Sequence, residues 1–119
     1  MTRALQPLLE RTLARARLQG VAYRVQFATS AEKQLAQFTT RQQAIVLDAI
    51  KGQLRHEPFR ETRNRKPRRP NPLAPWELRV GELRIFYEED AEEKDLVNIL
   101  AVGIKSGNRL FIAGKEIVL

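Results

Sequence analysis

The sequence predicts an α+β domain on three observations: two consecutive helical stripes between residues 29 and 56, a hairpin pattern from Trp76 to Glu88, and a nearly unbroken apolar run from Asp95 to Gly103. At 119 residues with 43% hydrophobic side chains, the chain fits one domain with a modest core. Without cysteine there are no disulfides or thiolate chemistry, and a single histidine argues against zinc. No run approaches the roughly 18 apolar residues of a membrane span, so the expectation is a soluble protein that contacts no membrane.

Residues 2–19 place Leu5, Leu8, Leu9, Leu13 and Ala16 on one helical face, with Arg3, Arg11, Arg15 and Arg17 mostly elsewhere, before Gly20 ends the pattern. Residues 1–20 therefore read as an N-terminal amphipathic extension, packed on the domain or on a partner; the Arg-rich, acid-poor pattern also resembles an organelle transit peptide. The main domain, 21–119, opens with a strand from Val21 to Ala28 in which Tyr23, Val25 and Phe27 alternate. Thr29 with Glu32 suggests a capping box, followed by a short helix with Ala31, Leu35 and Phe38 on one face. Thr40 and Gln43 repeat that signal before a second helix, about 41–56, whose Ala44, Leu47, Ile50 and Leu54 form the stripe of a helix lying on a sheet. Pro58 closes it.

Between Glu57 and Pro75 there is no periodicity, and Pro67, Pro70, Pro72 and Pro75 argue for a long loop. The basic residues concentrate here. Residues 51–84 hold ten Lys/Arg against four Asp/Glu, six of the chain's seven net positive charges. Arg63, Asn64, Arg65, Lys66, Arg68 and Arg69 are the expected phosphate-tracking residues of an RNA-binding loop, the alternatives being a solvated loop or one covered by an acidic protein.

The last third is strand material. Trp76 to Val80 and Leu83 to Glu88 alternate around a Gly81-Glu82 turn, which pairs Val80 with Leu83, Arg79 with Arg84, Leu78 with Ile85 and Trp76 with Tyr87. Trp76, Leu78, Val80, Leu83, Ile85 and Tyr87 then share the core face; Glu77, Arg79, Arg84 and Phe86 share the other. Two arginines directly opposite each other cost up to about 1 kcal/mol relative to a neutral pair, which makes sense if an anion sits between them. The alternative is that they reach water or pair with Glu77 and Glu82. The apolar 95–103 segment is expected to be a central strand covered on both faces, with short strands at Arg109 to Ala113 and Glu116 to Leu119.

With strand, helix pair, basic loop and the run WELRVGELRIFYEED…DLVNILAVGIKSGNRLFI in view, residues 21–119 resemble the RelE/ParE superfamily of bacterial toxins from type II toxin-antitoxin systems. The resemblance implies a small antiparallel sheet with two helices packed on one face, a bacterial cytoplasmic setting, a cognate antitoxin as partner, and no cofactor or metal. Within the superfamily, RelE-like members cut messenger RNA on the ribosome and ParE-like members poison DNA gyrase; the expectation is the RelE-like endoribonuclease, the alternatives being gyrase inhibition or a non-catalytic protein that binds nucleic acid or the ribosome. Carried over by motif, the RelE-like catalytic positions fall on Arg79 and Arg84 of the hairpin, Lys105 after Val102-Gly103, and Phe111, where RelE has a tyrosine. Glu77 stands where RelE has a further lysine.

RNA cleavage of this kind needs a base for the 2′-hydroxyl and cations for the pentavalent transition state. Arg79, Arg84 and Lys105 are the expected clamp, Arg84 foremost, with Asn108 and Arg109 as supplements. Glu77, on the arginine face, is the candidate base. His56 reads as a favourable cation at a helix end, and Trp76 and Tyr87 as core.

Overall fold

Apolar alternation from Leu78 to Val102 builds one face of a seven-stranded sheet, and two helices lie against it. The computed structural model describes residues 22–119, so the segment read at 1–20 lies outside the described residues. In chain order these are β1 (Arg24–Phe27), α1 (Thr29–Ala36), α2 (Thr40–Gln53), β2 (Arg65–Pro67), β3 (Trp76–Val80), β4 (Leu83–Glu89), β5 (Leu96–Ser106), β6 (Arg109–Ile112) and β7 (Lys115–Ile117). Strands β2 to β7 follow one another antiparallel across the sheet, while β1 pairs in parallel with the first half of β5. A parallel pair needs a crossover, and the whole helix pair and hairpin intervene here. Among the described residues no helix is long and apolar enough to cross a membrane.

The core combines Val25 and Phe27 of β1, Ala31 and Leu35 of α1, Val46, Ile50 and Leu54 along α2, and the hairpin residues Leu78, Leu83, Ile85 and Tyr87 with Val97, Ile99 and Val102 of β5. On α2 the buried stripe runs through Val46 where Ala44 was expected; Ala44 is exposed. Both helix starts lie one residue before the expected caps. Thr39 is the N-cap of α2, its hydroxyl accepting from the Gln42 N–H at 3.1 Å while the Gln42 side chain accepts from the Thr39 N–H at 3.0 Å. Ala28 caps α1 because its N–H still belongs to the sheet, donating to the Ile99 carbonyl at 2.8 Å, so the chain turns into helix directly from the strand.

The long loop is interrupted, contrary to the expectation from its prolines. Arg65, Lys66 and Pro67 pair with Leu78, Glu77 and Trp76 as an edge strand. Proline is tolerated at such an edge because a missing donor there breaks no inner ladder. The connector before it is pinned by Phe59, whose ring lies 5.7 Å from Tyr23 and 5.9 Å from both Trp76 and Tyr87, and by the buried Tyr87 hydroxyl, which donates to the Pro58 carbonyl at 2.6 Å.

The hairpin has the expected register throughout, with Arg79 opposite Arg84, and positive φ at Gly81 but not at Glu82, the pattern of a type II′ turn. Strand β5 is the long member around which the rest assembles. On one edge it pairs with β4, with an irregularity at Phe86/Tyr87; on the other it takes β1 at Leu96–Ile99 and β6 at Ile104–Ser106. Between those two partners, the Val102 N–H is satisfied by the Gln34 side chain of α1 at 2.9 Å. A second, smaller cluster of Ala74, Phe86, Ala101, Leu110 and Ile112 covers part of the face without helices.

Gly103 sits where β5, β6 and the Arg84 backbone meet. A Cβ there would lie 2.6 Å from the Phe111 carbonyl oxygen and 2.8 Å from Ile112 Cγ1, so β6 would have to move. Gly103→Ala is expected to lower stability by about 1–3 kcal/mol, the usual cost of overpacking, read as a lower urea midpoint with an unchanged slope.

Candidate nucleic-acid interface

Strand alternation puts Glu77, Arg79 and Arg84 on the face away from the helices, and Lys105 reaches it from β5 beside Leu110. Arg68, just beyond β2, joins them, its N–H bonded to the Pro75 carbonyl at 2.7 Å. Arg68, Glu77, Arg84, Lys105 and Asn108 line one cleft of about 240 Å³, together with Leu110 and the segment Glu116–Leu119.

A single carboxylate organises the cations. The Glu77 side chain is 5% exposed; its Oε2 accepts from Arg79 Nε at 2.5 Å and faces Arg84 Nε at 3.8 Å, while its Oε1 faces Arg68 Nη1 at 3.4 Å. The cross-strand arginine pair therefore shares an internal carboxylate, which corrects the expectation of an outside anion between them in favour of the alternative, pairing with Glu77. Arg84 is also held from the turn, Nη1 donating to the carbonyls of Gly81 at 2.7 Å and Leu83 at 2.9 Å. Burial pulls the Arg84 pKa below its ordinary value, Glu77 pulls it back up, and Arg79 adds to the lowering. The Nε atoms of Arg68 and Arg84 are buried and have no hydrogen-bond partner among the described residues. Both nitrogens are thus closed to solvent as well as unbonded.

The other candidate residues are dispersed. Arg79 is tied to the cleft through Glu77, and it lines a separate groove of about 470 Å³ with Asn64, Val80 and Gly81 and residues of α2. Arg65 is not a phosphate-tracking residue but a buried structural one: its guanidinium donates to the Gln53 carbonyl at 2.8 Å, the Arg60 carbonyl at 3.0 Å and Gln53 Oε1 at 3.2 Å. Its place in β2 opposite Leu78 turns it to the helix side. Lys66 pairs with Glu61 at 3.5 Å, whereas Arg63, Asn64 and Arg69 are exposed. Asn108 lines the cleft; Arg109 instead pairs with Glu116 at 2.9 Å and sits 5.9 Å from the Phe111 ring. Phe111 is opposite Ile104, so alternation turns it to the helix face, away from Lys105.

His56, exposed beyond α2, does not line the cleft, and Trp76 packs in the core. Burial raises the pKa of both Tyr87 and Tyr23, which holds their hydroxyls protonated. The part of the cleft that sequence reasoning missed is Glu116–Leu119, and its only signal was the weak strand pattern at the end of the chain. No three His, Asp or Glu side chains among the described residues come together as a metal-binding group.

Fold and cleft define a small basic α+β protein with a cation-lined cleft on the open face of its sheet. No protein-family model matches the sequence, and no curated protein matches it significantly. The structure does match a chain of the crystal structure of the toxin-antitoxin complex RelBE2 from Mycobacterium tuberculosis, with a TM-score of 0.60 and 33% identity over 71% of this chain and 100% of that one. The chain belongs to the RelE/ParE superfamily of type II toxin-antitoxin toxins, with the RelE-like α+β fold.

The burial of Arg65 separates its role from that of its neighbours. Arg65→Met leaves the carbonyls of Gln53 and Arg60 without their charged donor, so it is expected to lower stability by roughly 2–4 kcal/mol in a denaturant titration. Neutralising exposed Arg63 and Arg69 together is expected to leave stability unchanged; if the loop tracks phosphates, the salt dependence of RNA binding flattens by about one to two units of slope, and an unchanged slope rejects that role.

Proposed function

We propose that the chain is a toxin that acts as a metal-independent endoribonuclease on ribosome-bound messenger RNA and so stops translation. The observation that carries this reading is the convergence of Arg68, Arg84 and Lys105, with Asn108, around one open cleft on the helix-free face. A phosphodiester seated there meets guanidinium donors from β4 and the end of the basic loop, and an ammonium from β5. The 2′-oxygen bonds to phosphorus as the bond to the 5′-oxygen breaks, leaving a 2′,3′-cyclic phosphate and a 5′-hydroxyl. Arg84 and Arg68 hold the nonbridging oxygens as charge builds on them. Water at the mouth of the cleft takes the 2′ proton, Lys105 gives one to the departing 5′-oxygen, and exchange with solvent restores both.

RelBE2 is a toxin-antitoxin complex. By analogy, a cognate antitoxin with an acidic segment is the partner of this chain, covering the cleft and competing for the same cations. Exposed Arg63 and Arg69 serve as sequence-independent contacts to messenger or ribosomal RNA. A second reading, ParE-like inhibition of DNA gyrase without nuclease chemistry, is favoured by one observation: the motif-matched aromatic, Phe111, lies on the wrong face and has no hydroxyl.

Purified protein added to a translating extract separates the two. The nuclease reading expects protein synthesis to stop with cut messenger while gyrase supercoiling continues; gyrase-dependent DNA breaks with intact messenger would establish the other. Lys105→Ala and Arg84→Ala are each expected to slow cleavage about 100-fold or more, the scale of losing a transition-state donor. Arg84→Ala is also expected to lower stability by about 1–3 kcal/mol, since its bonds to the turn carbonyls go with it, so its rate is read per folded molecule.

A further inference from the structure

We infer that Glu77 is a positioning residue for the cleavage reaction, a buried carboxylate that aims Arg68 and Arg84 across the cleft, and not the base that the hairpin register first suggests. The inference rests on the nuclease reading above. A general base must offer an open lone pair to the hydroxyl at about 2.6–3.2 Å. The Glu77 side chain is 5% exposed, and both of its oxygens face guanidinium groups. Although Glu77 lines the cleft, its oxygens are turned to cations and offer a ribose hydroxyl no open lone pair.

What the carboxylate does is set by the inequality of its contacts. Arg79 makes a full hydrogen bond at 2.5 Å, but Arg68 at 3.4 Å and Arg84 at 3.8 Å are held mainly by attraction. Their Nε atoms are themselves buried, with no hydrogen-bond partner among the described residues, so each guanidinium is steered by charge and not by a bond at Nε. A carboxylate bonded tightly to all three would draw the guanidinium groups onto itself and away from a phosphate. One that attracts from a distance fixes the direction of two guanidinium groups and leaves the N–H bonds that do not face Glu77 for the reacting phosphate. The turn carbonyls of Gly81 and Leu83 secure Arg84 from its other side. This is preorganisation in the electrostatic sense: the cations stand in place before charge develops on the substrate.

Substituting an amide of the same shape removes the attraction and leaves Arg79 and Arg84 facing each other uncompensated. It also adds one unit of positive charge to the RNA-binding face. The test uses full-length Glu77→Gln and Glu77→Asp, with cleavage of ribosome-bound messenger across a pH series and NMR spectra of the arginine Nε–H groups. For Glu77→Gln, kcat is expected to fall at least tenfold while KM holds or falls, the pH–rate profile keeps its wild-type shape, and the Arg68 and Arg84 Nε–H signals shift or broaden. Glu77→Asp, which keeps the charge, is expected to recover part of kcat.

An acid limb present in the wild type and lost in Glu77→Gln would make Glu77 the base and overturn the inference. An unchanged kcat with unmoved Nε–H signals would overturn it as well. Should Glu77→Gln not fold, the arginine signals of Glu77→Asp decide: a lowered kcat together with shifted Arg68 and Arg84 Nε–H signals supports positioning, and unmoved signals sink it. Wild-type protein that cuts no messenger removes the nuclease reading alone; the Nε–H signals of Glu77→Gln then still report whether the carboxylate aims Arg68 and Arg84, and unmoved signals reject that.

Discussion

The arrangement of this site depends on one constraint, the register that sets Arg79 directly across from Arg84 on the open face of the hairpin. Two fixed cations at that separation repel, and the repulsion grows as solvent is excluded around Arg84. Burying Glu77 beside them answers the repulsion but creates a second demand, because a buried carboxylate is costly unless it is surrounded by partners. Arg68 completes the set from the basic loop. Each charge in this group is tolerable only because the others are there, so the four are best regarded as one unit.

That unit is placed by the sheet, not by the loop that holds most of the basic residues. Strand β5 carries Lys105 alongside the hairpin, and Gly103 lets β6 come close enough for Leu110 and the residues after β7 to wall the cleft. The apolar cluster around Phe86 and Ala101 supports the same face from one end. The helices contribute indirectly. By covering the far face, and by satisfying the Val102 N–H through Gln34, they free the near face to be charged.

Much of this was legible in the sequence because a strand has a period of two. Once Gly81-Glu82 was taken as the turn, every cross-strand pair of the hairpin followed, including the arginine pair and the separation of Glu77 from Leu78. The long β5 announced itself by apolar residues on both faces. What was not legible is what alternation does not encode. The pairing of β2 is written in three residues ending in proline, so the sign that Arg65 turns inward was hidden inside a run that looks uniformly basic. The caps were misplaced by one residue because Thr29 and Thr40 each follow a residue that the tertiary fold makes the true boundary, Ala28 through the sheet and Thr39 through its own capping box. A motif match also transfers sequence position but not side-chain direction, which is why Phe111 could be aligned with a catalytic aromatic and yet stand on the wrong face.

The resulting distribution divides exposed cations from withdrawn ones. Arg63 and Arg69 are exposed, so salt screens them, and under the proposed function they would serve RNA capture through counterion release. Arg68 and Arg84 are largely withdrawn from solvent, where the dielectric is lower; a phosphate contact there would be stronger but must be aimed. Under the proposed function, a partner that neutralises the exposed arginines would weaken capture of RNA without touching the cleft, whereas one that presents a carboxylate inside the cleft would occupy the place of the reacting phosphate. An antitoxin of this chain would therefore gain most by doing the second, because Arg68 and Arg84 are already held in place by Glu77.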